Sequence, residues 1–102
     1  MEISIEQMAA NAAEAEHFLK QIANSNRLMV LCVLTEGELS VGELNARIPL
    51  SQSALSQHLA KLRSAGFVET RREAQTMFYR IADERVLQVI GKLYEVFCQE
   101  QR

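Results

Sequence analysis

Hydrophobic positions spaced three and four residues apart predict helices over the first part of the chain. An amphipathic helix is expected over residues 5–22, where the apolar stripe comprises Ile5, Met8, Ala12, Ala15, Leu19 and Ile22. Residues 28–34, LMVLCVL, are apolar on every face, which is typical of a helix that is buried on most sides. Asn24 or Ser25 can cap this second helix at its start, and Gly37 can end it.

Two shorter helices joined by a tight turn are expected between residues 40 and 65. Ser40 followed by Glu43 is a capping-box signature for the first of them. Pro49 lies in the turn, and Ser51 can cap the second, which is the fourth helix of the chain. Its inward stripe, at i, i+4 and i+7, comprises Leu55, Leu59 and Leu62.

The opposite face of the fourth helix carries amides and hydroxyls where an ordinary solvated helix carries more Glu and Lys. The residues on this face are Gln52, Ser53, Ser56, Gln57, Ala60 and Lys61. Amides and hydroxyls are the groups that hydrogen-bond base edges in a major groove. The pattern therefore predicts a DNA-reading helix, which Gly66 is well placed to end.

The periodicity changes after the fourth helix. FVETRR (67–72) and TMFYRI (76–81) are rich in β-branched and aromatic residues and predict a β-hairpin with its turn at Glu73-Ala74-Gln75. Asp83 can cap a last helix through about residue 100, whose apolar stripe comprises Val86, Val89, Ile90, Leu93 and Phe97. This order of elements predicts a winged helix-turn-helix, mainly α with a small β-hairpin, in one domain over residues 1–102.

The charge of the chain is unevenly distributed. The net charge is −2, yet residues 51–81 carry five basic against two acidic residues, a balance of +3. Residues 1–50 carry three basic against seven acidic residues. The positive segment coincides with the predicted reading helix and hairpin, as on a DNA-binding face. The alternative is a solvated face with incidental charge.

The N-terminal and C-terminal helices bear on location and assembly. No apolar run approaches the length of a membrane span, and MEISIEQ lacks the features of a secretory signal, so the cytoplasm is expected. In so small a domain, part of the two terminal apolar stripes has no internal partner. A homodimer paired through the first and last helices would bury it and place two reading helices symmetrically. The alternative is that both stripes cover the core of a monomer.

Two segments of the chain, SVGEL and LSQSALSQHLAKLRSAGFVETRREAQTMFY, strongly resemble the ArsR/SmtB family of bacterial repressors, and the likeness spans residues 18–98. RREAQTMFY in the hairpin is similar to the subgroup that contains HlyU, YgaV, BigR and SqrR, whose members respond to sulfide or oxidants rather than metals. The broader family often carries Gly near the tip of the wing, where this chain has Glu73-Ala74-Gln75. The resemblance implies a homodimer that binds double-stranded DNA at a palindromic operator and releases it when a signal arrives.

In such a complex, each group of residues has an expected partner on the DNA. Base edges would be contacted by Gln52, Ser53, Ser56 and Gln57, with an assignment that could slip by one residue. Phosphates or the minor groove would be contacted by Lys61, Arg63, Arg71 and Arg72. His58 is expected to pack or to touch phosphate rather than to bind a metal.

A metal site is not expected. Metal-sensing relatives carry Cys-x-Cys in a segment like ELCVCDL, where this chain has ELSVGEL at 38–44, and neither Ser40 nor Gly42 replaces a soft ligand. Other relatives bind zinc on the last helix through Asp and His. Asp83 is present here, but no His occurs after His58. We therefore expect neither a metal nor a cofactor.

Cys32 lies in the second helix and Cys98 near the end of the last. Composition alone favours a small core residue and an incidental surface thiol. The resemblance implies a redox switch instead, because the HlyU-like subgroup holds one cysteine on each of these helices. One thiolate would attack a persulfide, polysulfide or oxidant and the other would resolve the product, giving a disulfide or a polysulfide bridge. Which thiol attacks first stays open.

Other functions compete with a thiol-controlled regulator. A regulator or antisilencer without a small-molecule signal would bind DNA equally well before and after thiol chemistry. A winged-helix protein-interaction module would pack the fourth helix against a protein, although its outer face lacks the aromatic anchors of protein hot spots. The motifs suggest no catalytic constellation, so an enzyme is not expected.

Overall fold

A computed structural model describes residues 1–98, which form five helices and a three-stranded antiparallel sheet in the order β1-β3-β2. The elements are α1 (Ile5–Ile22), α2 (Ser25–Leu34), β1 (Leu39–Ser40), α3 (Val41–Arg47), α4 (Gln52–Ser64), β2 (Val68–Glu73), β3 (Thr76–Ile81) and α5 (Glu84–Phe97). The α3–α4 pair is the helix-turn-helix and the β2–β3 hairpin is the wing. The predicted winged helix-turn-helix is confirmed. None of the helices within residues 1–98 has the length and apolar character needed to cross a bilayer.

Side-chain caps determine where the helices begin, because the first amide groups of a helix have no partner inside it. Asn24, rather than Ser25, caps α2 and accepts hydrogen bonds from two backbone amides at 3.0 and 3.1 Å. Ser40 and Glu43 form the predicted capping box of α3, with bonds of 3.1 and 2.8 Å. Asp83 caps α5 through a 2.8 Å bond from a backbone amide.

The end of α4 is a Schellman motif centred on Gly66, whose φ is +81°. The amide of Gly66 donates to the carbonyl of Arg63 at 2.9 Å, and the amide of Phe67 donates to the carbonyl of Leu62 at 2.9 Å. Phe67 and Leu62 are both buried, which supplies the apolar contact that accompanies this motif. The chain therefore reverses within two residues and passes directly from α4 into the wing.

One apolar core lies between α2, α4, α5 and the sheet. Its buried members are Phe18, Ile22, Val30, Leu31, Leu34, Leu44, Ile48, Leu55, Leu59, Leu62, Phe67, Val68, Val86 and Ile90. The prediction that α2 is buried on most sides holds only in part. Met29 is exposed, and Leu28, Cys32 and Val33 are partly exposed. The face of α2 that turns towards α5 therefore remains accessible.

The helix α1 forms as predicted, but most of its apolar stripe does not pack on the core. It is anchored near its C-terminal end by two buried residues, Phe18 and Ile22. The ring centre of Phe18 lies 4.9 Å from that of Phe67. Ile5 and Leu19 of the stripe are 73% and 54% exposed. The alternative in which both terminal stripes cover the core of one chain is therefore wrong for α1.

The boundaries of the elements differ from the prediction in four places, three in the strands and one in the last helix. The two-residue strand β1 was not predicted, because two residues are too few to show a strand periodicity. The hairpin starts one residue later than expected, and Glu73 pairs with Thr76, so that only Ala74 and Gln75 form the loop. At the other end, α5 ends at Phe97, and the last part of the predicted helix lies outside the described residues.

Candidate DNA-binding surface and cysteine pair

The outer face of α4 is solvent-exposed because its inner face is fixed in the core. Ser51 begins the helix by accepting a 3.1 Å hydrogen bond from the amide of Ala54. The three inward leucines of the helix have no exposed surface. The exposed polar and charged side chains of the helix include Gln52, Ser53, Ser56, Gln57, Lys61 and Arg63, and Ala60, which was also predicted on the outer face, is exposed with them. The structure thus brings these six residues together on one polar surface, which we call the reading face.

His58 lies apart from the reading face. It is partly buried, and its Nδ1 atom is buried without a hydrogen-bond partner among the described residues. Burial lowers the pKa of His58, and the charges of Arg27 and Lys61 lower it further. The ring is therefore neutral at pH 7 and contributes no positive charge to a phosphate contact. The prediction that it packs fits this position better than the phosphate contact.

The basic residues of the wing fall into two groups. Arg71 forms ion pairs with Glu38 at 2.7 Å and Glu73 at 2.9 Å, and Arg80 pairs with Glu69 at 2.6 Å. In contrast, Arg72 has no ion pair with a carboxylate among the described residues. Because Glu69 and Glu73 are already counted in the balance of residues 51–81, the further neutralisation comes from Glu38, which lies outside that segment and pairs with Arg71.

The basic residues of α4 are unpaired within the described part of the chain, as Arg72 is in the wing. Its two cations, Lys61 and Arg63, are exposed and form no ion pair with a carboxylate anywhere in residues 1–98. Both lie in the last turns of the helix, at the C-terminal end of the reading face. Their charges are therefore available to an external anion such as a phosphate.

Cys32 and Cys98 line the same cavity, between α2 and α5. The cavity has a volume of about 310 Å³ and is also lined by the apolar residues Leu28, Met29, Ile90, Leu93, Tyr94 and Phe97. Both cysteines are free thiols, and Cys98 is exposed whereas Cys32 is partly buried. The fold thus places Cys32 of α2 and Cys98, which follows α5, at the same cavity.

The two thiols are not equivalent. Burial raises the pKa of Cys32, and the nearby Cys98 and Glu36 raise it further, while Arg47 acts in the opposite direction. A raised pKa reduces the thiolate fraction at a given pH, and the thiolate is the reactive form. The raised pKa therefore lowers the reactive fraction of Cys32, and its partial burial also limits access to it.

Sequence reasoning missed the polar residues around Cys32. The carboxylate of Glu36 accepts hydrogen bonds from Arg47 at 2.7 and 3.1 Å, and the hydroxyl of Thr35 donates to the carbonyl of Cys32 at 2.6 Å. Only the hydroxyl contact is local in the sequence. No pattern of spacing could have linked Glu36 to Arg47, which lies at the end of α3. Among residues 1–98, no three His, Cys, Asp or Glu side chains are grouped so as to hold a metal ion.

Comparison with known proteins identifies the family. Residues 24–70, from the α2 cap to the start of β2, match the family described as "Bacterial regulatory protein, arsR family". Over 97 residues the chain is 50% identical to the transcriptional activator HlyU of Vibrio cholerae serotype O1, covering 95% of this chain and 90% of that protein. This chain belongs to the ArsR family.

Solved structures of ArsR-type regulators have the same fold. The crystal structure of the transcriptional repressor BigR from Xylella fastidiosa is 42% identical and has a TM-score of 0.90, covering 96% of this chain and 100% of that one. A homodimeric winged helix-turn-helix DNA-binding domain from Mycobacterium bovis is 28% identical, with a TM-score of 0.73 and coverage of 100% and 97%. The predicted family is confirmed, and the protein is a transcriptional regulator of the ArsR family rather than an enzyme.

The ArsR relatives also bear on the direction of regulation. One relative is named an activator and another a repressor, although both align with nearly the whole chain. The fold and the DNA-binding function are therefore shared, whereas the effect on transcription differs between relatives.

Proposed function

We propose that the protein regulates transcription by binding a palindromic operator as a homodimer, with its DNA affinity controlled by a dithiol switch at Cys32 and Cys98. The observation that carries the switch is that both thiols line one apolar cavity between α2 and α5. The signal is a reactive sulfur species or an oxidant. The protein acts in the cytoplasm, where thiols are kept reduced until such a signal arrives.

The operator is contacted by the reading face. Gln52, Ser53, Ser56 and Gln57 hydrogen-bond base edges in the major groove, for which amides and hydroxyls provide both donors and acceptors. Lys61 and Arg63 neutralise phosphates beside it, since neither is paired with a carboxylate within residues 1–98. From the wing, Arg72 adds a phosphate or minor-groove contact.

The dimer forms through α1 and α5. Large apolar side chains of these helices are exposed in the single chain and comprise Ile5, Met8, Leu19, Leu87, Tyr94, Val96 and Phe97. Burying apolar surface contributes about 25 cal/mol per Å², so a two-fold partner stabilises this arrangement. The two-fold axis then relates two reading faces, which fit half-sites about 34–36 Å apart.

The switch begins at Cys98. As the exposed thiol, its thiolate attacks the sulfane sulfur of a persulfide RSSH and becomes Cys98–S–SH, while RSH leaves. The Cys32 thiolate then attacks the Cys98 sulfur, a disulfide forms and hydrogen sulfide leaves. The two thiols lose two protons and two electrons, which reduce one persulfide to RSH and H₂S. Where the two sulfurs are too far apart for a direct bond, retained sulfur atoms give a polysulfide bridge.

The link changes DNA affinity because it joins α2, which packs in the core, to the C-terminal end of α5. Since α5 also belongs to the proposed dimer contact, a shift of its end alters the spacing of the two reading faces. A mismatch with the half-site spacing then weakens operator binding.

The first experiment selects a binding sequence from a random pool of DNA duplexes with the reduced protein. The selected duplex is then titrated by fluorescence anisotropy between 50 and 200 mM salt, where about eight phosphate contacts lower the affinity by several decades. Recovery of no duplex, or a flat salt response, contradicts the DNA-binding proposal and favours a protein-interaction module.

A second experiment tests the switch. The reduced protein is exposed separately to inorganic polysulfide and hydrogen peroxide, then analysed by intact-mass spectrometry and peptide mapping. We expect a Cys32–Cys98 link and release of the selected duplex, whereas Cys32→Ser and Cys98→Ser bind it normally but are not released. A link that carries extra sulfur identifies reactive sulfur as the signal. Two unmodified thiols, or linked protein that still binds equally well, instead support a signal-independent regulator or antisilencer.

A further inference from the structure

Each of the three guanidinium nitrogens of Arg71 has a carboxylate partner, and the side chain is 47% exposed. Its Nη2 donates to Glu38 Oε1 at 2.7 Å, and its Nε lies 3.1 and 3.2 Å from the two oxygens of the same carboxylate. Its Nη1 donates to Glu73 Oε1 at 2.9 Å. The group also lies over the ring of Phe78, 4.7 Å from the ring centre. All three nitrogens thus bind carboxylates, and one side of the plane is covered by an aromatic ring.

These contacts cross the whole sheet. Arg71 on β2 is the register partner of Phe78 on β3, and Phe78 is in turn the partner of Ser40 on β1. Glu38 directly precedes β1, so the Arg71 side chain extends over the central strand to the segment beyond it. Ser40 is also the N-cap of α3. The Arg71–Glu38 pair therefore joins the wing to the segment that leads straight into the helix-turn-helix.

The neighbouring Arg72 differs from Arg71 in its partners and not in its exposure, since both side chains are exposed. Successive side chains of a strand point to opposite faces, so Arg72 does not share the surroundings of Arg71. Arg72 is exposed and forms no ion pair with any carboxylate described by the structure. Two adjacent arginines of the same wing thus differ in what they can offer to DNA.

We propose that Arg71 is a positioning residue, which with Glu38 holds the wing in place relative to the helix-turn-helix both before and during DNA binding. Arg72 is the arginine of this pair that neutralises a phosphate. The inference rests on the proposed DNA-binding function and narrows its wing contacts to one arginine. A planar guanidinium that binds a carboxylate through two nitrogens gives an orientation that a lysine ammonium does not reproduce.

The test compares salt slopes on the selected duplex. Each phosphate contact contributes about 0.9 to the slope of log K against log salt concentration. We expect Arg72→Ala to reduce the slope by about 0.9 for each protomer bound. Arg71→Ala is expected to keep the wild-type slope while lowering the affinity about threefold to fivefold, the range of a well-formed exposed pair.

A conservative variant separates positioning from charge. Arg71→Lys keeps the positive charge that a phosphate needs but loses the two-nitrogen grip on Glu38. We expect it to behave like Arg71→Ala, and circular dichroism to show that both variants remain folded. Affinity restored by Lys, or a slope reduced in Arg71→Ala as much as in Arg72→Ala, would overturn the proposal and assign Arg71 to a phosphate.

The direction in which Glu38→Ala changes the DNA affinity provides a further test. Removing a negative charge near DNA should strengthen binding if the charge acts only through repulsion. We expect weaker binding, because the partner of Arg71 is lost, and no additional loss in the Glu38→Ala, Arg71→Ala double variant. Tighter binding by Glu38→Ala overturns the positioning role. If the wild-type protein itself shows no salt-dependent DNA binding, that result contradicts the proposed DNA-binding function and not the specific role of Arg71.

Discussion

The reading face of α4 and the apolar surface of α1 and α5 are both exposed, but they expose opposite chemistry. The reading face presents amides, hydroxyls and two cations, with every large apolar side chain of the helix turned inward. The surface of α1 and α5 presents Ile5 at 73% exposure and Phe97 at 78%. Both surfaces lie on helices of one small domain, and the difference between them fits the two proposed partners, DNA for α4 and a second copy of the chain for α1 and α5.

The contrast shows how exposure is to be interpreted in this molecule. Polar groups on the reading face are hydrated in the free protein, and in the proposed complex they exchange this water for base edges and phosphates. Large apolar groups gain no comparable stabilisation from water, and contiguous patches of them mark interaction surfaces. One domain can therefore carry a face for DNA and a face for a second copy of itself without competition between them.

The largest effect is expected from a charge placed in the apolar surface. Met8→Glu puts a carboxylate on the exposed stripe of α1, where a dimer would bury it. We expect a monomer in sedimentation velocity and an operator affinity at least about 100-fold lower, since a single half-site loses the second binding event. His17→Glu, on the opposite face of α1 by helical spacing, is the control. A dimeric Met8→Glu with normal affinity would remove α1 from the interface.

A smaller loss is expected on the reading face. Gln57→Ala removes an exposed amide and should cost about 1–3 kcal/mol on the selected duplex, while relaxing the preference at one base pair. Gln88→Ala removes an exposed amide from α5 and should leave DNA binding unchanged. An equal loss on every DNA sequence would mean that Gln57 contacts only the backbone.

The cavity between α2 and α5 should show its asymmetry in reaction rates. Because the pKa of Cys32 is raised, its rate of alkylation by iodoacetamide should keep rising with pH beyond the point where an ordinary cysteine levels off. Cys98 should be alkylated first at neutral pH. Peptide mapping over a pH series measures both, and Glu36→Gln should move the Cys32 profile towards lower pH.

The same pKa shift has a defined effect on stability. The folded state holds the Cys32 proton more tightly than the unfolded chain does, so the stabilisation is complete below the unfolded pKa and is lost as pH rises through the folded pKa. The free energy of unfolding is measured for the wild type and for Cys32→Ser at increasing alkaline pH. We expect that of the wild type to fall relative to Cys32→Ser as the pH rises. In the alkylation experiment, a faster reaction of Cys32 than of Cys98 at neutral pH would contradict the proposal that Cys98 attacks first.

The smallest effect concerns the wing tip. Ala74 has a φ of +56°, a left-handed conformation that is unfavourable for an L-residue with a Cβ atom. Ala74→Gly should therefore stabilise the fold by about 0.5 kcal/mol, after the greater freedom of glycine in the unfolded chain is subtracted. Ala82→Gly, at a residue without a positive φ, should destabilise it. Equal melting shifts for both variants would show that the wing tip is not strained.

Local signals in the sequence proved sufficient for the helices of the reading face. The capping box at Ser40 and Glu43, the Ser51 cap and the glycine after α4 each act within a few residues, so spacing alone reveals them. The inward leucines of α4 follow from the helical period, and the exposed face follows from them. The fold of this region and the members of its surface could therefore be predicted.

Contacts between distant residues could not be predicted in the same way. Arg71 and Glu38 are 33 positions apart, and no periodicity relates a strand residue to the segment before another strand. The prediction that Cys32 and Cys98 act as a pair came from family resemblance, not from spacing, and their common cavity was not predicted. The exposure of the α1 stripe was expected from the small size of the domain, although the stripe of an amphipathic helix does not by itself show whether its partner belongs to the same chain.

The anchoring of α1 at one end has a mechanical consequence. The guanidinium of Arg27 donates to the carbonyl of Gln21 at 2.6 Å, beside the buried Ile22, while residues 1–17 are all exposed. An 18-residue helix is about 27 Å long, so a tilt of about 5° at this anchor moves the far end by about 2 Å. Because Glu14 also pairs with Arg85 of α5 at 3.1 Å, the segment of α1 before Glu14 is the part that such a tilt displaces most.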